Sequence, residues 1–353
     1  MSADVIPFRL AIRHPAHQLK LKLVGLLCLS VLLAAASALS ISRGAVLIPV
    51  ADVIQSVLGH GTQRSDLIIW TIRLPRTLMA GGVGASLALC GAVMQGLFRN
   101  PLADPGLTGV SSGAAFAAVA TIVLGQNAFG MAATNWLPVT AFTGGLAVTL
   151  LLYAIATRGG RTSVTTMLLA GIAIGAVAAA ATGLLIFMAS EQQLREFTFW
   201  TLGSLAGATW HKSFIVFVLL AISIPLWPYL ARGLDKLALG EADASFSGLR
   251  VEHTKAIAII LTALLTGVAV SVSGMIGFVG LVVPHILRLT IGPSHGLMLP
   301  ASALLGATLL ILADTFARLA AAPAELPIGI ITACLGGPLF LWMLLRDRRL
   351  MSI

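Results

Sequence analysis

Charged side chains are scarce in this sequence. Only 10% of the 353 residues are Asp, Glu, Lys or Arg, whereas 58% are hydrophobic and the mean hydropathy is +0.98. A soluble domain carries about 25% charged residues, so this composition excludes an ordinary globular chain and a disordered one. The apolar runs are continuous rather than alternating, which indicates membrane-spanning helices and not a β-barrel.

Cysteine is also rare, and the usual catalytic and cofactor-binding patterns are missing. The cysteines Cys28, Cys90 and Cys334 lie within apolar runs and share no metal-ligand spacing, which argues against a disulfide framework and a metal site. The sequence has no G-x-x-x-x-G-K-[ST] loop for a nucleotide phosphate. We therefore expect no catalytic residue, no metal and no cofactor bound by this chain, and no enzyme activity.

Carboxylates are few inside the apolar runs as well. Asp104 and Asp314 lie near the ends of runs rather than at their centres. Proton-coupled carriers usually need buried Asp, Glu or His within their spans. A self-powered secondary carrier of a hydrophobic substrate is therefore the weaker alternative, and we expect the driving force to come from a partner protein.

The apolar runs themselves predict the architecture. A spanning helix needs about 20 mostly apolar residues. Eight runs are clear, and two are weaker because one is rich in Gly and Ser and the other is short. The clear runs are near 21–41, 76–97, 137–157, 165–189, 213–231, 256–273, 297–317 and 327–345, and the weaker ones cover 106–125 and 277–292. We predict an all-α, polytopic membrane protein with about ten transmembrane helices, folded as one domain over 1–353 with a cytoplasmic loop at 232–255.

The distribution of Lys and Arg predicts the orientation, because these residues concentrate in cytoplasmic loops. With both termini inside, seven of the 22 basic residues fall outside and the other fifteen fall inside. The seven outer ones are Arg43, Arg64, Arg73, Arg76, Arg195, Lys212 and Arg318. The net charge of +9 then reflects topology in the lipid bilayer and not nucleic-acid binding.

Arginines at the outer ends of two runs break this tendency. Arg73 and Arg76 precede the second run in "RLPRT", and Arg318 follows the ninth in "FARL". Pro75 suits the first turn of a helix, where its missing N–H costs little. Two interpretations stay open at this point, namely anchoring at the membrane surface and pairing with carboxylates of another protein.

The segment Arg232–Lys255 is the longest predicted cytoplasmic connection. Within it, Glu241–Ser247 has acidic residues at the start, and Gly248 is placed as a C-cap, which is typical of a short helix. Its small side chains could fit a groove of another protein, although a plain surface helix explains them equally well.

Long motifs give the sequence a resemblance to a known family. It resembles the permease family of ABC importers for iron-siderophores, haem and cobalamin. The segments that carry the resemblance are "RLPRTLMAGGVGASLALCGAVMQGLFRNPLADPGLTGVSSGAA" (73–115), "MLLAGIAIG" (167–175), "FWTLGSLAGATW" (199–210), "LGEADASFSGL" (239–249), "GMIGFVGLVVPHILRL" (274–289), "LADTFARL" (312–319) and "ELPIGIITACLGGPLFLWML" (325–344). The resemblance implies a type II ABC importer permease fold that works as a homodimer. It also implies two separate ATPase subunits that hold ATP and Mg, and a periplasmic substrate-binding protein.

The resemblance also implies roles for particular residues. Arg73, Arg76 and Arg318 match outer arginines that meet carboxylates of the binding protein. The coupling helix that contacts the ATPase matches Glu241, Ala242, Asp243, Ala244, Ser245, Phe246, Ser247 and Gly248. The cytoplasmic gate matches Asn100, Leu102, Val164 and Thr165. The segment 197–207 resembles an outer half-helix at the substrate entrance.

The substrate is predicted from one segment. "EQQLREFTFWTLGSL" (191–205) is most similar to the haem-importing branch, and Arg195 within it could attract a propionate of haem. A loop arginine that balances Glu191 and Glu196 is an equally good interpretation. The resemblance thus predicts haem as the transported substrate, with a ferric siderophore or cobalamin as the alternatives.

Overall fold

The fold is built almost entirely from helices. A computed structural model describes residues 15–44, 46, 48–129, 133–322 and 324–346. The α-helices are α1 Pro15–Ser42, α2 Val50–Val57, α3 Gln63–Asp66, α4 Leu74–Leu97, α5 Val110–Phe129, α6 Ala133–Ala156, α7 Val164–Phe187, α8 Glu191–Thr201, α9 Trp210–Ser223, α10 Trp227–Leu237, α11 Glu241–Phe246, α12 Val251–Ser273, α13 Val279–Ile291, α14 His295–Ala320 and α15 Ile328–Arg346.

Smaller elements connect these helices. A π-helical segment spans Leu67–Arg73, and 3₁₀ turns span Pro105–Thr108 and Ile224–Leu226. Two short antiparallel strands, β1 Thr157–Arg158 and β2 Arg161–Thr162, form a hairpin in which Thr157 pairs with Thr162.

Each of the ten predicted apolar runs contains a helix, so the all-α polytopic prediction is confirmed. Within the described residues, seven helical segments are long and apolar enough to cross a membrane. Three shorter apolar helices, Val110–Gly125, Val279–Ile291 and Ile328–Trp342, lie in the remaining runs. Four of the basic residues assigned to the inside, Arg9, Arg13, Arg348 and Arg349, lie outside the described residues.

The second run begins earlier than predicted. Pro75 lies in the first turn of α4, but α3 and the π-helical segment precede it, so the helical run is continuous over Gln63–Leu97. The Trp210 and Ser213 side chains of α9 donate to the carbonyl oxygens of Trp70 and Pro75 at 2.7 and 2.8 Å.

Helix α4 is the centre of the bundle. It packs against α14, α12, α13 and α9, and 94% of the most apolar part of Gln63–Leu97 is buried. Two glycines allow the closest approaches. A Cβ at Gly84 would collide with the Gly306 carbonyl oxygen of α14, and one at Gly91 would collide with that of Gly280 in α13. Small residues at helix contacts are how membrane helices pack without a hydrophobic drive.

The predicted cytoplasmic loop is more helical than expected. Helix α10 extends to Leu237 and α12 begins at Val251, so both ends of the segment 232–255 are helical. An amphipathic pattern explains the extension, because α10 buries Leu230, Leu234 and Leu237 on one side while its charged residues lie on the other.

Candidate functional site

The predicted docking arginines lie together at the end of α1. Arg76 is only 7% exposed. Its Nε lies 3.1 Å from both carboxylate oxygens of Asp314 on α14, and its Nη2 donates to Asp314 Oδ1 at 2.9 Å. Its Nη1 donates to Glu325 Oε1 at 2.8 Å. The fork-shaped guanidinium suits such paired contacts with carboxylates.

Arg318 and Arg73 complete this group from two sides. Arg318 Nε lies 3.1 Å from Asp314 Oδ2, and its Nη2 donates to Ser40 Oγ at 2.9 Å. Arg73 is 4% exposed and donates to the carbonyl oxygens of Ile41, at 2.5 Å, and Val46. Arg73 therefore supplies partners for carbonyl groups at and just beyond the end of α1, where a helix leaves such groups unsatisfied.

We call Arg73, Arg76, Asp314, Arg318 and Glu325 the outer cluster, after the orientation that the distribution of Lys and Arg predicts. The structure brings the three arginines together, but their guanidinium groups already have partners within the chain, and docking to another protein stays a prediction. Sequence reasoning missed the roles of Asp314 and Glu325. One signal was present, because Asp314 precedes Arg318 by four residues and so shares its helix face.

At the opposite end of the bundle, the short helix predicted over Glu241–Ser247 is present as α11. It ends at Phe246, and Gly248 adopts a left-handed conformation with φ +81°, as a C-terminal glycine should. Ala244 packs inward, whereas the Phe246 ring is 90% exposed. The exposed ring is left largely free of contacts with the rest of the described chain, and its role as a contact with the ATPase stays a prediction.

The two predicted gate elements occupy neighbouring positions. Asn100 shapes the turn after α4, because its Oδ1 accepts the Leu102 N–H at 2.9 Å. Val164 and Thr165 begin α7, which Ser163 caps. A cavity of about 920 Å³ is lined by Val164 and Thr165 together with residues of α11 and Arg99. Asn100 and Leu102 themselves are not among its lining residues.

Asp104 follows the first gate element. It caps the 3₁₀ turn Pro105–Thr108, and its Oδ1 accepts the Gly106 N–H at 2.8 Å. Burial raises the pKa of this carboxyl above its ordinary value, and the hydrogen bond from Gly106 offsets only part of that effect.

The helix in the segment predicted to be an outer half-helix begins earlier than 197–207. It is α8, Glu191–Thr201, because Ser190 and Gln193 form a capping box that starts the helix at Glu191. Its place at the substrate entrance stays a prediction. Arg195 is exposed on α8, one turn after Glu191. The Phe197 ring stacks on that of Trp200 with centroids 6.4 Å apart.

Comparisons with known proteins agree with this architecture. The model of the FecCD transport family matches residues 32–346. The hemin transport system permease protein HmuU of Yersinia pestis is 47% identical over 281 residues, which cover 79% of this chain and 84% of that protein. The vitamin B12 import system permease protein BtuC of Shigella boydii is 44% identical over 326 residues, which cover 92% of this chain and 95% of BtuC.

A solved structure is similar as well. It is described as an inward-facing metal-chelate type ABC transporter and superposes with a TM-score of 0.81 at 33% identity, covering 91% of this chain and 98% of its own. The family model spans the bundle from α1 to α15, and the chain belongs to the FecCD transport family of ABC importer permeases.

Proposed function

We propose that this chain is the transmembrane permease of an ATP-driven importer that moves haem from the periplasm to the cytoplasm. The observation that supports haem as the substrate is the 47% identity to a hemin permease. The exposed Arg195 on α8 supports it, because a guanidinium can pair with a carboxylate such as a haem propionate. Cobalamin is the second candidate, since the BtuC proteins are 44% identical over more of the chain.

A second copy of the chain is proposed to pack on α7. None of the most apolar part of α7 is buried, although its hydropathy of 2.2 exceeds that of the α4 run. A Cβ at Gly175 or Gly183 would meet nothing within 4 Å. Small residues with open space around them are suited to close contact with another helix. Substrate would then cross the membrane by alternating access at the interface of the two copies.

Two ATPase subunits are proposed to bind at α11. The exposed Phe246 ring would enter a groove of the ATPase, and the buried Ala244 would hold α11 against the bundle. The ATPase would carry ATP and Mg, and the permease would contribute no catalytic residue. Haem would pass through as substrate and not stay as a cofactor.

A periplasmic binding protein is proposed to dock on the outer cluster. Carboxylates of that protein would pair with Arg73, Arg76 and Arg318. Glu325 is the most exposed side chain of the outer cluster, so an incoming carboxylate would compete with it for Arg76. This arrangement fits a multi-pass protein of the bacterial inner membrane with both termini in the cytoplasm. ATP binding and hydrolysis would move α11 and open or close the gates near Asn100 and Val164.

Uptake by the reconstituted importer tests the substrate. The permease, its ATPase and its binding protein are placed in liposomes with ATP, and uptake of haem, cobalamin and a ferric siderophore is measured separately. We expect haem to be taken up fastest at equal concentration. Preferential uptake of cobalamin or of the siderophore would overturn the haem assignment and leave the importer assignment standing.

A further inference from the structure

A buried lysine lies between α11 and the start of α7. Lys255, in the first turns of α12, is 2% exposed. Its Nζ donates to Glu241 Oε2 at 2.8 Å, to Glu252 Oε1 at 3.1 Å and to the Thr162 carbonyl oxygen at 2.8 Å. An ammonium group has three N–H donors, and here each of them has an acceptor.

The same network binds both the backbone N–H and the backbone carbonyl of Thr162. The Thr162 N–H donates to Glu252 Oε2 at 2.7 Å, while its carbonyl oxygen accepts from Lys255. Thr162 is the last residue of β2, and α7 begins two residues later at Val164. Glu241, in turn, is the first residue of α11. One cation therefore links the first residue of α11 to the backbone at the start of α7.

We infer that Lys255 is a positioning residue that transmits movement of α11 to the gate residues Val164 and Thr165. This inference rests on the proposed function, because it takes α11 as the contact with the ATPase. A buried cation cannot leave its carboxylates without a large desolvation cost. When α11 moves, Glu241 and Lys255 move together, and the two hydrogen bonds at Thr162 carry the displacement to α7.

A purely structural role predicts something different. If the network only kept α11 folded in place, its loss would reduce ATPase binding and ATP hydrolysis together with transport. If it transmits movement, its loss leaves hydrolysis running while the gate stops responding. The ratio of substrate moved to ATP hydrolysed separates the two roles.

The experiment compares Lys255→Met, Lys255→Arg and Glu241→Gln in the complete importer. For Lys255→Met, we expect ATP hydrolysis within about twofold of the unmodified importer and about tenfold less substrate moved per ATP, a typical size for a coupling between sites. For Glu241→Gln, which lies in α11 itself, we expect the same loss in the ratio of substrate moved to ATP hydrolysed. Lys255→Arg should restore the ratio, because it keeps the charge. Arg232→Met, on the exposed side of α10, is the control for loss of a cytoplasmic cation.

A second readout does not depend on the substrate. Cys28 and Cys334 are the exposed cysteines among the described residues, so both are replaced by Ser, and a spin label is attached at Thr165→Cys. The label-to-label distance between the two copies is measured with and without ATP. We expect ATP to change this distance when Lys255 and Glu241 are both present, and to leave it constant in Glu241→Gln. The natural Glu241 side chain is 46% exposed, so the fold should tolerate its replacement.

The outcomes are distinct. An ATP-driven distance change that persists in both Glu241→Gln and Lys255→Met would overturn the inference and leave the proposed function intact. An equal loss of hydrolysis and gate movement would also overturn it, in favour of a structural role. Absence of any ATP-driven change with Glu241 and Lys255 in place would count against the proposed function itself.

Discussion

Helices α4 and α7 have the same length of 24 residues, yet their surroundings are opposite. Nearly all of the α4 run is buried inside the chain, whereas none of the corresponding part of α7 is. A Cβ at Gly84 or Gly91 of α4 would meet backbone atoms of α14 or α13, whereas one at Gly175 or Gly183 of α7 would meet nothing within 4 Å. In a membrane protein, hydrophobicity therefore does not distinguish a core helix from one that faces lipid or another subunit.

The difference in burial indicates that α4 and α7 have different roles. Helix α4 carries the ion pair between Arg76 and Asp314 and holds the bundle together. Helix α7 carries no charged residue and begins at Val164 and Thr165, the proposed gate residues. A buried helix at the centre and an exposed one at the rim suit a permease whose pathway runs along the rim, between two copies.

Gly91→Val should have the largest effect. The new side chain would collide with the Gly280 backbone, and the two helices would have to separate. We expect a loss of more than about 3 kcal/mol, above the usual cost of overpacking, and little folded protein by size-exclusion chromatography. The matched change Gly175→Val on α7 should leave the fold of a single copy intact within about 0.5 kcal/mol, because a Cβ at this position meets nothing within 4 Å. Equal destabilisation by the two changes would contradict the conclusion that α4 is buried in the bundle and α7 is exposed.

Asp314→Asn should cause the next largest loss of stability. Asp314 is 1% exposed and faces both Arg76 and Arg318. Removing one partner of a buried ion pair costs about 3–5 kcal/mol, and we expect about 3 kcal/mol because Glu325 still neutralises Arg76. Thermal unfolding in detergent measures it. A melting temperature equal to that of the natural protein would show that the pair does not stabilise the α4–α14 contact.

Glu325→Gln should have a smaller effect, and it should strengthen binding of the periplasmic binding protein. The change releases Arg76 Nη1 for a carboxylate of the binding protein. We expect the dissociation constant to fall about two- to fivefold, consistent with the small energy of an exposed ion pair. Surface plasmon resonance checks this value, with Asp52→Asn on α2 as the control for lost negative charge. Weaker binding by Glu325→Gln would mean that Glu325 positions Arg76 for docking instead of competing for it.

Asp104→Asn should have the smallest effect, and it should depend on pH. Because burial raises the pKa of Asp104 in the folded state, the stability linked to this group is fully present below its unfolded pKa and is lost as pH rises through the folded pKa. The asparagine variant has no such loss. Its melting temperature should exceed that of the natural protein at neutral pH, and the difference should disappear in acid. A difference that is constant with pH would contradict the raised pKa.

The sequence predicted the helices well where the signal was local. Acidic residues and Gly248 located α11, and the length of each apolar run located the spans. It failed where geometry is set by distant residues. The ion pair of Arg76 with Asp314 joins α4 to α14, and the hydrogen bond from Lys255 to Thr162 joins α12 to β2, so both contacts connect segments far apart in the chain. Periodicity cannot reveal such contacts, and it could not show that α4 is buried and α7 exposed.

The most direct measurement of the central claim is haem uptake into liposomes that contain this chain with and without its ATPase subunit. We predict uptake only when the ATPase, Mg and ATP are all present, because the sequence contains no loop to bind a nucleotide phosphate. Uptake at an undiminished rate by the permease alone would contradict ATP-driven import and favour a self-powered carrier.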